Sequence, residues 1–233
     1  VAHALVHVAM ITFAAVLTPM RASVGAGLFT ISVVGNISYF SFGLLAPLSG
    51  HLADRIGSRA VLAAGLGGMA VSLVAVALAP NVYVLAAALA ALGLSAAVYH
   101  PAGLSLIARR VAAVEKGMAY HGIFGSIGVA VGPLLAGLIM AASSWRWVYA
   151  ALAVPAAALA FAFFLGAGGR SVSGKAPAAT RFPARTQLGT LVVYYLVALA
   201  IGFVYHGGTT FLPTRLGEMK GLFLGNAATT ATL

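Results

Sequence analysis

Among the side chains of this sequence, six histidines and three acids can exchange a proton near or below neutral pH. The acids, Asp54, Glu115 and Glu218, fall in short polar breaks. His3, His7, His100, His121 and His206 fall within long apolar runs. Imidazole titrates near neutral pH, so a histidine in such a run can take up and release a proton. His3 and His7, four residues apart, share one face of a helix. His100 precedes Pro101, whose missing N–H would interrupt a helix and free backbone carbonyls nearby. Asn36, Tyr39, Tyr99, Tyr120 and Tyr205 add neutral polar groups to the same runs. Each of these residues alone serves as readily as a hydrogen-bonded packing group. Together His7, Asn36, Tyr39, Tyr99, His100, His121, Tyr205 and His206 are the expected lining of a solute or proton cavity, His100 foremost.

Other chemistries find little support. The chain has no cysteine, which excludes disulfides, thiolate metal sites and thiol catalysis. It has no Gly-x-Ser-x-Gly turn and no acid inside an apolar run, so a hydrolase triad is not expected. The paired histidines lack the glutamate of a zinc-protease helix, and no other ligand set stands at a metal-binding spacing. The reading therefore carries no catalytic residue, no metal and no cofactor.

The elements that must hold these side chains follow from composition. The sequence is 62% hydrophobic and only 7% charged, with a mean hydropathy of +1.05. A water-soluble domain carries about 25% charged residues, so this chain cannot cover a globule in water. A hydrocarbon core about 30 Å thick takes roughly 20 apolar residues of helix. Seven runs qualify, near 1–20, 26–50, 60–79, 82–108, 117–141, 145–168 and 187–213. Barrel strands would be about half as long and would alternate in polarity. The expected fold class is an all-α polytopic membrane bundle.

The thirteen basic residues set its orientation, because cytoplasmic loops are enriched in Lys and Arg. One side receives Arg55, Arg59, Arg109, Arg110, Lys116, Arg170, Lys175, Arg181 and Arg185; the other receives Arg21, Arg146, Arg215 and Lys220. The richer side is expected in the cytoplasm, with the amino terminus. Trp145 and Trp147 then open the sixth span at the outer interface, where indoles anchor helices. The net charge of +10 is scattered between spans rather than gathered on one face, so nucleic acid is not an expected partner.

Residues 168–186 hold Gly, Ser, Pro and four basic residues without an acid, and read as a flexible cytoplasmic linker. The expected division is a six-helix domain over 1–168, a linker over 169–186 and the start of a second transmembrane domain over 187–233. A first residue that is not Met and an end inside an apolar run read as a piece of a longer protein.

Three motifs carry a family resemblance. Gly50-x-Leu52-Ala53-Asp54-Arg55-x-Gly57-x-Arg59 resembles the signature between the second and third spans of the major facilitator superfamily. Ser58 stands where that pattern usually has a basic residue. The resemblance implies a tight loop in which Gly50, Leu52, Asp54, Arg55, Gly57 and Arg59 form a conformational latch. Glycine suits the close turn, Asp54 suits a helix N-terminus, and the arginines suit acids or helix C-termini. In the family the surfaces it closes against lie largely in the second half, so Asp54 is expected to lack its partner here. Gly128-x-x-x-Gly132-Pro133-x-x-x-Gly137 looks like the fifth-span helix-bend motif of the superfamily's proton-coupled antiporters. Tyr99-His100-Pro101-Ala102-Gly103, with His3, His7, His121-Gly122, Trp145-Arg146 and His206, is similar to a subset that includes fosmidomycin-resistance-like exporters.

The resemblance covers nearly the whole chain, as about half of a twelve-span protein. It implies a secondary active transporter that moves a small organic solute by alternating access, with proton-coupled export ahead of proton-coupled import. Its implied partners are the solute, protons, the lipid bilayer and the missing second half, in a bacterial inner membrane. From other classes, a non-transporting scaffold or sensor and a membrane haem protein with axial histidines are the rivals.

Overall fold

Helix breakers and caps divide the chain. The structure is a computed structural model that describes residues 1–167, the side chains of 46, 47 and 167 excepted. Between 189 and 208 it describes all but 191, 195, 198, 199, 203 and 206. Helix α1 (Ala2–Ser23) ends before Gly25, whose φ of 64° lies in the left-handed region. Helix α2 (Leu28–Ile56) stops at Gly57, and α3 (Ser58–Leu78) stops before Pro80. The Asn81 side chain accepts from the N–H groups of Tyr83 and Val84 at 3.1 and 3.0 Å and so caps α4 (Val82–Ala97). Then follow α5 (Tyr99–Arg110), α6 (Val114–Ala142) and α7 (Trp145–Ala167). No strand occurs among the described residues.

Six of the expected spans are present as apolar helical segments long enough to cross a membrane: Ala2–Ser23, Leu28–Leu45, Ser58–Leu78, Val82–Arg110, Val114–Ala142 and Trp145–Gly166. The fourth is built from two helices. Pro101 has no N–H to give and its ring crowds the carbonyl of residue 97, so α4 ends at Ala97 and α5 begins at Tyr99. Pro101 then lies in the first turn of α5, where N–H groups lack helical partners anyway. The expected seventh span extends outside the described residues; those described between 189 and 208 are helical and belong to a second unit, Lys175–Leu233, apart from Val1–Gly174.

Within the first unit α1 is the most enclosed helix, packed chiefly on α6 and also on α7. Helix α2 packs on α4, and α3 packs on α7 and α4. Large apolar side chains such as Phe29, Phe40, Leu48, Val71, Phe161 and Phe164 point outward. Lipid tolerates that exposure as water does not, and in lipid the helices are held by close packing and polar ties instead.

Two arginines supply such ties. Arg59, in the first turn of α3, donates to the Gly166 carbonyl at the end of α7 at 2.7 Å. Arg146, in the first turn of α7, donates to the Ala77 and Ala79 carbonyls at the end of α3, both at 2.8 Å, and lies 4.5 Å over the Trp145 ring. The two helices are antiparallel, and each sends a cation to the other's carbonyl-rich terminus. Terminal carbonyls without helical partners and the negative end of the dipole both favour this. Trp145 is buried against the neighbouring helices, with its Nε1–H donating to Ser23 Oγ at 3.0 Å. Trp147 is exposed.

Candidate functional site

The break at Val98 turns Tyr99 and His100 into the opening turn of α5, next to the first two turns of α1. There four imidazoles from three spans meet. His3 stacks on His121 of α6, centroids 3.7 Å apart and planes within 12°. His7 and His100 approach His3 edge-on at 4.7 and 4.8 Å, and Tyr99 stacks against His3 and His121 at 5.7 and 5.9 Å. Phe42 of α2 covers His100 from the side at 5.7 Å. His3 is buried; His7, His100 and His121 are half-buried. His100 lies roughly 14 Å along the helix from Arg109, well inside the apolar segment Val82–Arg110.

Small residues of α6 make the approach of α1 feasible. A Cβ on Gly125 would overlap the His3 ring, one on Gly128 would overlap the Ala4 backbone, and one on Gly132 would overlap Ile11. Gly128 and Gly132 of the fifth-span motif thus form the seat of α1, a close small-residue contact of the kind that joins membrane helices. Gly137 faces open space, and α6 continues as helix across Pro133.

Hydrogen bonds settle the tautomer of His3. Its Nδ1 lies 2.5 Å from the His121 carbonyl, which can only accept, so Nδ1 carries the proton. In the neutral ring Nε2 then has a lone pair, and it faces His7 Nε2 at 3.0 Å. One ring nitrogen from each of His3, His7 and His100 lies within 4.8 Å of the other two. Spacing along the sequence reveals no such ligand set; it pairs His3 only with His7, because α5 reaches them through tertiary packing. The expected cavity lining is otherwise divided. Tyr39 donates to the Met10 carbonyl at 2.9 Å, and Asn36, exposed, donates to Ser32 of its own helix at 2.8 Å. Tyr205 lies in the second unit, and His206 lies outside the described residues.

The charged motif departs from the expected loop. Residues 50–56 continue α2, α3 begins at Ser58, and the whole reversal is made at Gly57, with φ 89° and ψ 140°. Backbone of that kind is costly for any residue with a Cβ. Gly50 has only an ordinary contact distance to Pro101, so its lack of a side chain is not demanded there. Asp54 does have a partner in this chain: Arg109, at the end of α5, donates from Nη2 to Asp54 Oδ1 at 2.6 Å. The expectation placed its partner in the second half because the fold that brings α5 beside α2 is not visible in the local pattern. Ser58, in place of a base, donates to Ser105 Oγ at 3.2 Å. Leu52 and Arg55 line a cleft of about 230 Å³ beside Leu45, Leu48 and Val98.

A helical bundle with this charged reversal and this glycine seat has a counterpart among known families: the model of the Major Facilitator Superfamily matches residues 1–232. The chain belongs to that superfamily. This major facilitator chain is an integral membrane protein of a transporter family. It is similar to the puromycin resistance protein of Streptomyces alboniger, 36% identical over 111 residues, which are 46% of this chain and 22% of that protein. The lincomycin resistance protein of Streptomyces lincolnensis is 35% identical over 46% of this chain and 22% of its own length. The methylenomycin A resistance protein of Streptomyces coelicolor is 31% identical over 47% and 24%. A crystal structure of the peptide transporter POT in complex with sulfate is alike in fold, with a TM-score of 0.52 and 19% identity. That likeness covers 95% of this chain and 50% of that one.

Proposed function

We propose that this chain forms the first half, and the start of the second, of a secondary active transporter. In this reading it moves a small organic solute out of the cell by alternating access, coupled to protons. The observation that carries it is the family match along residues 1–232, which makes the bundle one of a transporter superfamily. Relatives named for resistance to puromycin, lincomycin and methylenomycin A favour export of a small compound. Proton coupling rests on the likeness of Gly128, Gly132, Pro133 and Gly137 to an antiporter motif, two of whose glycines seat α1. His7, Tyr99, His100 and His121 then line part of the solute path, with the amino terminus in the cytoplasm. Histidine rings in direct contact leave no slot for a porphyrin between them, which removes the support for a haem reading.

The test is flux. Full-length protein in proteoliposomes, offered labelled puromycin and labelled lincomycin, is expected to move at least one of them faster when a pH gradient is imposed. Flux without gradient dependence would overturn the proton arm. No flux of either compound, together with no added tolerance to a broader panel of small antibiotics in a sensitive host, would overturn export.

A further inference from the structure

We infer that His3, His7 and His100 form a binding site for a divalent transition-metal ion of the zinc and cobalt class. Imidazole nitrogen suits these ions, and three histidines leave a fourth tetrahedral position for water or another ligand. With bonds of 2.0–2.1 Å, two nitrogens on one tetrahedral ion stand about 3.3 Å apart. His3 Nε2 and His7 Nε2 are already 3.0 Å apart, and one ligand nitrogen from each of His3, His7 and His100 lies within 4.8 Å of the other two, so closure on an ion needs His100 to move inward.

Three further observations point to a ligand. Metal-bound histidines usually donate their other ring N–H to a carbonyl or carboxylate, which holds the ring and presents a lone pair to the ion. His3 has that arrangement: Nδ1–H donates to the His121 carbonyl, and Nε2 faces His7 Nε2. Its ring is stacked on His121, with Tyr99 alongside both rings, over the gap that Gly125 leaves. Finally, His121 Nε2, in the same cluster, is buried without a hydrogen-bond partner among the described residues, an unmet polar demand beside the three ligands. The described spans place no carboxylate in the cluster, so the three ligands are neutral and the ion keeps its charge. That favours an anion or hydroxide in the fourth position over water alone. The site needs only the first unit and stands whether or not the protein moves a solute.

The experiment uses full-length protein purified through a tag without histidine. Zinc is titrated calorimetrically, and cobalt is followed by the visible absorption that tetrahedral coordination intensifies. One ion per chain is expected. His7→Ala and His100→Ala should each weaken binding by at least the ~10–100-fold that loss of an outer-shell partner alone costs, while His51→Ala, an exposed residue on α2, should leave it unchanged. In parallel, wild-type protein is treated with diethylpyrocarbonate with and without zinc, and each histidine is read by mass spectrometry. Zinc should protect His7 and His100 and leave the labelling of the exposed His51 unchanged. This second arm needs no variant to fold. Absence of stoichiometric binding, binding unchanged in both variants, or no protection of His7 and His100 would overturn the site. Loss of metal binding with transport intact would leave the transporter reading untouched, and the reverse would leave the metal site standing.

Discussion

At the scale of single residues, the site depends on side chains that are absent as much as on those present. Gly125→Ala places a methyl group into the His3 ring. Overpacking of this kind costs about 1–3 kcal/mol, so a lower unfolding temperature in detergent is expected, read by thermal-shift measurement. Gly122→Ala, in open space on the same helix, should instead be neutral or stabilising by up to about 1 kcal/mol, the helix-propensity gain of Ala over Gly. The Asp54–Arg109 pair needs a different argument. Both side chains are substantially exposed, 61% and 40%, and exposed ion pairs contribute about 0–1 kcal/mol. Asp54→Asn is therefore expected to leave the unfolding temperature nearly unchanged. If the pair acts as a latch it should still slow solute flux in proteoliposomes, because it then biases one conformation over another rather than folded over unfolded. A large stability loss with normal flux would make the pair structural.

At the scale of elements, two devices can be tested. The reciprocal arginines join α3 to α7 at both ends, and each satisfies carbonyls that a helix terminus leaves without partners. Arg59→Ala and Arg146→Ala should each destabilise the bundle by about 1–3 kcal/mol. The effects should add within roughly 0.5 kcal/mol, since the two ends lie a full helix length apart. Strong non-additivity in denaturation of the double variant would mean the ties are not independent. The second device is Gly57, the only residue outside a helix between Leu28 and Leu78. Gly57→Ala meets a backbone conformation that disfavours a Cβ and should cost about 1–3 kcal/mol, again read by unfolding.

At the scale of the whole molecule, the distribution of basic residues expects the linker side in the cytoplasm. The absence of cysteine makes this direct to check. Ser173→Cys should react with an impermeant maleimide only in inside-out vesicles, and Ser144→Cys only in right-side-out ones. The opposite pattern would invert the topology and place Asp54 and Arg109 on the outer face. The exposed apolar surface of the first unit fits a bundle that meets lipid.

The sequence by itself determined the class and six spans, because the bilayer imposes a length and a polarity that can be read one residue at a time. It also located the break near His100, since proline acts on its own helix. Pairings across helices were beyond it. That Arg109 meets Asp54, that Arg59 and Arg146 cap each other's helices, and that His100 and His121 join His3 depends on which helix faces which. Those neighbours are chosen by small-residue contacts summed over whole helices, of which the stripe at Gly125, Gly128 and Gly132 is one. A charged segment between apolar runs looks like a loop, yet residues 50–56 are helical. Only the tertiary structure decided that, because a helix can extend past the apolar layer wherever another helix end, here that of α5, supports it.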